Sequence, residues 1–351
     1  MAPLEPLPAR LQVAPGPLAE IPPVRNVQSE DTDGVLQAKA DEKLEFVQAM
    51  IRRLENAMKS YTAEDQQWLR GIVDPNEPCV SVLVRLVIEK KYKEFVNLRC
   101  VVLRALQIIL RLARMMVQGP QKDDPHVGML CLGYLVGNEA AKEATRVILS
   151  MVRHERTEPV AACNALLMLA ELGPEALSPE VAPRRLLDLF VGLPDRADEL
   201  VEVSLRLHSL GGDQREALLD AVVSHAGGSL LCEVLLQVIN RADLKRRMRA
   251  LKVLSGCLAK SGSESLLYTN DVKVLVEILI RELPNHAEDA RGFEACADCF
   301  KALAIRCAAA RTHRRSEILQ VFEDLYAHEQ VLLEVRDKCS EMLHFMAQVG
   351  S

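Results

Sequence analysis

Cys296 and Cys299 are the residue pair with the most obvious chemical potential, because two thiols three positions apart can hold a metal ion or form a redox couple. The pair lies within a run of helical periodicity, and neither a second cysteine pair nor a histidine stands near it at ligand spacing. We therefore expect both thiols to be reduced core residues, as for the rest of the ten cysteines. The sequence predicts no metal site and no cofactor.

The other polar residues do not form a catalytic pattern. The eight histidines are dispersed. His313 lies among arginines in a predicted helix connection, and Glu288 and Asp289 stand in a predicted loop, so solvation accounts for them. The sequence contains no P-loop, no dinucleotide-binding glycine motif, no His-Glu-x-x-His motif and no Gly-x-Ser-x-Gly motif. We therefore expect a protein that is not an enzyme and has no catalytic residues.

The composition is that of a folded, core-forming protein. Hydrophobic residues make up 49% of the 351 positions and aromatic residues only 4%, so the core must be aliphatic. The net charge of -6 argues against a nucleic-acid partner, since such proteins carry a basic excess. No apolar run approaches the roughly 20 residues of a membrane-spanning helix, and the N-terminus lacks the apolar segment of a secretory signal. We expect a reduced, cytoplasmic protein without membrane insertion.

Two regions are predicted along the chain. Residues 1–36 are rich in proline and lack apolar periodicity, which is typical of a disordered leader. Residues 37–351 show helical periodicity almost throughout, interrupted by breakers such as Gly173-Pro174 and Gly211-Gly212. No segment alternates as a strand would. The sequence therefore predicts an all-α fold.

A short core signature recurs within the helical region. A small residue followed by leucine occurs at Ala165, Ser204, Ala250 and Ala302, in steps of 39, 46 and 52 residues. Armadillo and HEAT repeats have periods of about 40 to 47 residues. We therefore predict an armadillo/HEAT-like α-solenoid with degenerate helical repeats, rather than a plain helical bundle. Solenoids present long surfaces to other macromolecules, so a binding scaffold is the general expectation.

A basic cluster opens the helix that runs to Ala259. It consists of Lys245, Arg246, Arg247 and Arg249. One interpretation is a solvated helix face, and the other is a docking patch for acidic groups, because arginine binds carboxylates bidentately. A similar choice applies to the basic run from Arg311 to Arg315.

The segment from Leu266 to Pro284 predicts one amphipathic helix. Thr269 or Asn270 can cap its N-terminus, and Asp271 suits the positive end of the helix dipole. The predicted buried stripe consists of Val272, Leu275, Val276 and Leu279.

The opposite face of this helix carries charge. Lys273, Glu277 and Arg281 follow i, i+4, i+8 spacing, so Glu277 is predicted to bridge both basic neighbours. The face is either solvated and self-paired, or it docks a partner.

Residues 268–283, Tyr-Thr-Asn-Asp-Val-Lys-Val-Leu-Val-Glu-Ile-Leu-Ile-Arg-Glu-Leu, closely resemble the leucine-rich armadillo domain of the WISH/DIP/SPIN family. The chain looks like the short forms of that family, which consist of little beyond this domain. It lacks a recognisable Src-homology-three domain, so the adaptor functions of the long forms are not implied.

The resemblance implies a partner and an activity. Proteins of that family bind the actin-related protein 2/3 complex and activate it without a preformed filament, which produces linear actin filaments. The implied partners are this complex and, through it, actin, and the implied location is cytoplasmic cortical actin, with a role in endocytosis. The predicted partner-binding residues are Lys245, Arg246, Arg247, Arg249, Asn270, Asp271, Lys273, Glu277 and Arg281. The alternative is a generic armadillo/HEAT scaffold, such as a chaperone cofactor or a transport adaptor.

Overall fold

A computed structural model describes residues 33–349, apart from 61, 75–77, 119–124, 155, 174–175 and 178. The chain divides into two compact units, Met1–Tyr134 and Leu135–Ser351. The described residues of both units form α-helices and short 3-10 turns, with no strand among them. The all-α class is therefore confirmed. Most of the predicted leader, residues 1–36, lies outside the described residues, and positions 33–36 belong to the first helix.

The first unit is built around one long buried helix. Its described elements are α1 (Asp33–Ser60), α2 (Ala63–Val73), α3 (Pro78–Ile88) and α4 (Val96–Gln118), and α5 (Pro125–Gly137) carries the boundary between the units. Helices α1, α2 and α3 each contact α4. A capping box begins α2, because the hydroxyl of Thr62 accepts a hydrogen bond from the amide of Asp65 at 3.1 Å. Leu54, Leu69 and Leu106 are fully buried in the aliphatic core that results.

The second unit is an array of helical repeats. Its elements are α6 (Glu139–Arg153), α7 (Pro159–Leu172), α8 (Ala182–Gly192), α9 (Ala197–Leu210), α10 (Gly212–Ser224), α11 (Gly228–Arg241), α12 (Leu244–Ala259), α13 (Thr269–Asn285), α14 (Ala290–Arg306), α15 (Ala308–Thr312), α16 (Arg315–Ala327) and α17 (Leu333–Val349). Helices α7, α9, α12, α14 and α17 form one layer, in which each contacts the next. Helices α8, α11, α13 and α16 form the second layer in the same way. Consecutive pairs such as α11–α12 and α13–α14 join the layers, as expected for a solenoid.

The recurring small residues mark equivalent helices of this array. Ala165, Ser204, Ala250 and Ala302 lie buried in α7, α9, α12 and α14, which all belong to one layer. Their spacing is irregular for two reasons. Helix α10 is inserted between α9 and α11, and Ala250 lies early in its helix whereas Ala302 lies late. The degenerate helical repeats are therefore confirmed.

Helix α13 has the predicted core but different ends. Val272, Leu275, Val276 and Leu279 are all buried, as expected. The capping prediction was wrong, because the helix begins at Thr269 and no side chain caps it. Pro284 lies in the last turn, and the helix ends one residue later.

The Cys296–Cys299 pair lies inside α14 and is fully buried. Burial raises the pKa of Cys296 to about 12, and it also raises the pKa of Cys299. The thiolate forms that bind metals or attack disulfides are therefore disfavoured.

Within the described residues, no single helix is long and apolar enough to cross a membrane. Helices α10 and α11 reach the required length and apolar content only as a pair, and the pair is bent by 112°.

Candidate functional site

The basic cluster of α12 is divided among several partners. The backbone amide of Arg246 donates to the carboxylate of Asp243 at 3.0 Å, which caps the helix. The Nε of Arg246 approaches Glu202 of α9 at 2.7 Å, as a charge contact without hydrogen-bond geometry, and Arg249 reaches the other oxygen of Glu202 at 3.5 Å. Lys245 is exposed and has no ion pair within the part of the chain that the structure describes. The cluster is therefore not one unneutralised basic patch.

Arg247 turns in the other direction and joins α12 to α13. Its Nη1 donates to Oε2 of Glu282 at 2.6 Å, and its Nη2 donates to the carbonyl of Ala242 at 3.1 Å. Glu282 is only 2% exposed, and its other oxygen accepts a hydrogen bond from Nε of Arg281 at 3.0 Å. Burial alone would raise the pKa of Glu282, but the hydrogen bonds and charges of the two arginines outweigh it and hold the pKa below its usual value. Sequence analysis missed this carboxylate, because its partner Arg247 comes from another helix.

The charged face of α13 is exposed, but it does not pair as predicted. Lys273, Glu277 and Arg281 all face solvent. Glu277 contacts His313 at 3.1 Å and Arg314 at 3.3 Å, instead of bridging the basic residues of its own helix. The hydrogen bond from His313 and the charge of Arg314 lower the pKa of Glu277. The predicted bridge was therefore wrong, because the connection between α15 and α16 supplies nearer partners.

The two remaining predicted residues lie at the start of this helix. Asn270 is exposed, and Asp271 is partly buried in the first turn, where its charge suits the helix dipole. The predicted residues therefore occupy two helices, and no single patch unites them.

A groove of about 740 Å³ lies between α9, α10, α12 and α14. Ser255, Gly256 and Ala259 of α12 and Ala295 of α14 contribute small side chains to its walls. A Cβ at Gly256 would lie 3.0 Å from the nearest Leu219 methyl, so the glycine permits the close approach of α10. The sequence signal for this groove was the clustering of small residues on one face of α12, which sequence analysis did not use.

Charges of both signs line the groove. Lys260 is neutralised by Glu216 at 2.8 Å and by Asp220 at 2.7 Å. Lys252, Arg291 and Glu294 are exposed and form no ion pair with any residue that the structure describes. The groove therefore offers two cations and one carboxylate to an occupant.

His208 forms part of the groove wall and is half-buried. Burial, followed by the charges of Arg215 and Lys252, lowers its pKa to about 4. The imidazole is therefore neutral near pH 7, and the charge of the groove at that pH does not depend on it.

These features define a class of protein: an all-α repeat array with exposed charged surfaces and a groove, suited to binding another macromolecule. Residues 205–331, which run from α9 into the connection between α16 and α17, match the family model described as the SPIN90/Ldb17 leucine-rich domain. This match supports the assignment of the segment to the leucine-rich domain of the SPIN90/WISH/DIP family. The resemblance inferred from residues 268–283 is confirmed, since they lie within the match.

Two further comparisons add little to this assignment. Among solved structures, the chain is similar to a crystal structure described as an engineered protein, with 15% identity and a TM-score of 0.41. That similarity covers 91% of this chain and 97% of the other. The comparison with curated proteins gives no match.

Proposed function

We propose that this protein is a non-catalytic activator of the actin-related protein 2/3 complex and nucleates linear actin filaments without a preformed filament. The observation that carries the proposal is the match of residues 205–331 to the SPIN90/Ldb17 leucine-rich domain. The family resemblance implies this partner and activity. Both the groove and the charged face of α13 lie within the matched segment.

The proposed mechanism is a shift of a conformational equilibrium. The complex exchanges between an inactive, splayed arrangement and an active one that resembles a short filament. A rigid surface that binds the active arrangement more tightly favours it without any chemical step. Moving such an equilibrium from 1:99 to 99:1 requires about 10⁴-fold tighter binding to the active state, or ~5.5 kcal/mol. Repeat arrays suit this task because their packed layers hold a surface in one shape.

The groove has features that suit a helix of the partner. An α-helix with its side chains is about 10 to 12 Å across, and helices commonly bind in grooves between other helices. Lys252 and Arg291 favour acidic side chains on the occupant, and Glu294 favours a basic one. We therefore propose that a helix with charges of both signs occupies the groove.

Polymerisation of pyrene-labelled actin tests the function. The purified chain is added to actin and the purified complex, with no other activator and no filament seeds. Acceleration that depends on the complex supports the proposal. Unchanged kinetics would contradict it and favour a generic scaffold, such as a chaperone cofactor or transport adaptor.

Charge reversal tests the groove separately. The double variant Lys252→Glu, Arg291→Glu should activate much more weakly, with an unchanged melting temperature because both side chains are exposed. The matched control is Arg146→Glu on α6, which is exposed and lies outside the family match. Full activation by the double variant would exclude the groove and leave the function standing.

The location follows from the same proposal. We propose that the protein acts in the cytoplasm at cortical actin, including the actin patches of endocytosis. A fluorescent fusion that never overlaps the complex in cells would contradict this location.

A further inference from the structure

We propose that Arg281 recognises a carboxylate on the partner and that the buried Glu282 positions it for this task. The inference rests on the proposed function, because the partner is taken to be a subunit of the actin-related protein 2/3 complex.

The guanidinium of Arg281 has one side held and one side open. Its Nε donates to Oε1 of Glu282 at 3.0 Å, whereas its side chain is 52% exposed. No other contact engages it within the described part of the chain. A carboxylate can bind a guanidinium bidentately along the Nε edge or end-on through the two Nη groups. Because Glu282 occupies Nε, the end-on mode remains.

Glu282 is itself buried and hydrogen-bonded. Its side chain is 2% exposed, and its second oxygen accepts a hydrogen bond from Arg247 at 2.6 Å. Arg247 is in turn fixed to the carbonyl of Ala242 at 3.1 Å. Arg281 is therefore tied to the interior through a chain of hydrogen bonds. Such an arginine loses less side-chain entropy when a partner binds than an unconstrained surface side chain would.

The nearest acidic residue of the same face does not compete for Arg281. Glu277, one turn earlier on α13, is engaged by His313 and Arg314 instead. The open edge of Arg281 is therefore presented on an exposed helix face, because the carboxylate of α13 that contacts this guanidinium, Glu282, lies on its Nε side. This geometry matches an aspartate or glutamate side chain of the partner.

The first test replaces the guanidinium with an ammonium group. Arg281→Lys retains the charge but cannot form two parallel hydrogen bonds. Affinity for the purified complex, measured by fluorescence anisotropy of labelled protein, should fall at least about tenfold. The matched control, Arg241→Gln, removes an exposed charge from the last turn of α11 and should change affinity less than about threefold, since single exposed charges contribute little. Wild-type affinity of Arg281→Lys would overturn the inference.

The second test separates the orienting role of Glu282 from a structural one. Arg247→Met combined with Glu282→Met replaces the buried pair with apolar side chains of similar length, which proteins often tolerate. This double variant should melt cooperatively near the wild-type temperature but bind the complex several-fold more weakly. Adding Arg281→Lys to it should cause a smaller loss than the same substitution causes in the wild-type protein, because the orientation of the guanidinium is already lost. If Arg281→Lys weakened binding by the same factor in the double variant as in the wild-type protein, the positioning role of Glu282 would be overturned. If wild-type protein did not bind the complex at all, the proposed function would fail as well, so the two failures can be told apart.

Discussion

The buried pair Arg247–Glu282 should couple α12 to α13 energetically. The side chain of Glu282 is 2% exposed and that of Arg247 is 20% exposed, so removing either partner leaves a largely desolvated charge. Breaking a buried pair in this way typically costs about 3 to 5 kcal/mol. Glu282→Met should fall within that range. Arg247→Met should lie near its lower end, because Arg281 still compensates the carboxylate at 3.0 Å.

The double variant Arg247→Met, Glu282→Met should lose less stability than the sum of the losses of the two single variants. With both charges gone, the desolvation penalty disappears, and we expect a free energy of unfolding within about 1 kcal/mol of wild type. Equilibrium unfolding in urea, followed by circular dichroism, measures all four proteins of the cycle. A double variant as unstable as the sum of its single variants would refute the reasoning, because it would show that the two side chains act independently.

Three further outcomes follow from burial and ionisation. Burial and neighbouring cations lower the pKa of His208 from 6.5 to about 4, so the unfolded chain binds more protons between these values. The free energy of unfolding should therefore fall as pH drops from 6.5 to about 4. His208→Asn should reduce this pH dependence, and an unchanged slope in the variant would contradict the lowered pKa of His208. Leu275→Ala should cost about 2 to 5 kcal/mol in urea unfolding, because the side chain is fully buried, whereas exposed Val274→Ala on the same helix should cost almost nothing. Cys296 and Cys299 should resist alkylation in the native protein, since burial disfavours their thiolates, and mass spectrometry showing rapid modification would refute that placement.

The fold could be predicted from the sequence because its main signals are local. Helical periodicity and repeated small residues act within one helix or between adjacent helices. Ala165 and Ala250, for example, are each followed by leucine in the recurring signature, and both lie in equivalent helices. The stripe from Val272 to Leu279 was found in the same way.

The charged contacts could not be predicted because they depend on which helices are adjacent. Glu277 has basic residues at helical spacing on both sides, yet it pairs with His313 and Arg314, which follow more than thirty residues later. Similarly, Glu202 on α9 contacts two arginines of α12, Arg246 and Arg249. Sequence spacing describes one helix, whereas these pairs depend on the stacking of repeats.

The groove could be predicted from the sequence only in part. Its small residues, Ser255, Gly256 and Ala259, stand close together in the sequence and could have indicated a depression on α12. Its charged side chains come from separate helices, so their convergence required the structure.

The proposed function of this chain is to start linear actin filaments through the actin-related protein 2/3 complex. The most direct measurement is time-resolved fluorescence microscopy of single filaments, with the chain, the purified complex and actin as the only proteins. We expect new filaments that appear away from existing ones, without branch junctions at their origin, in numbers that rise with the concentration of the chain. Filament numbers equal to those without the chain, or new filaments that arise only as branches, would contradict it.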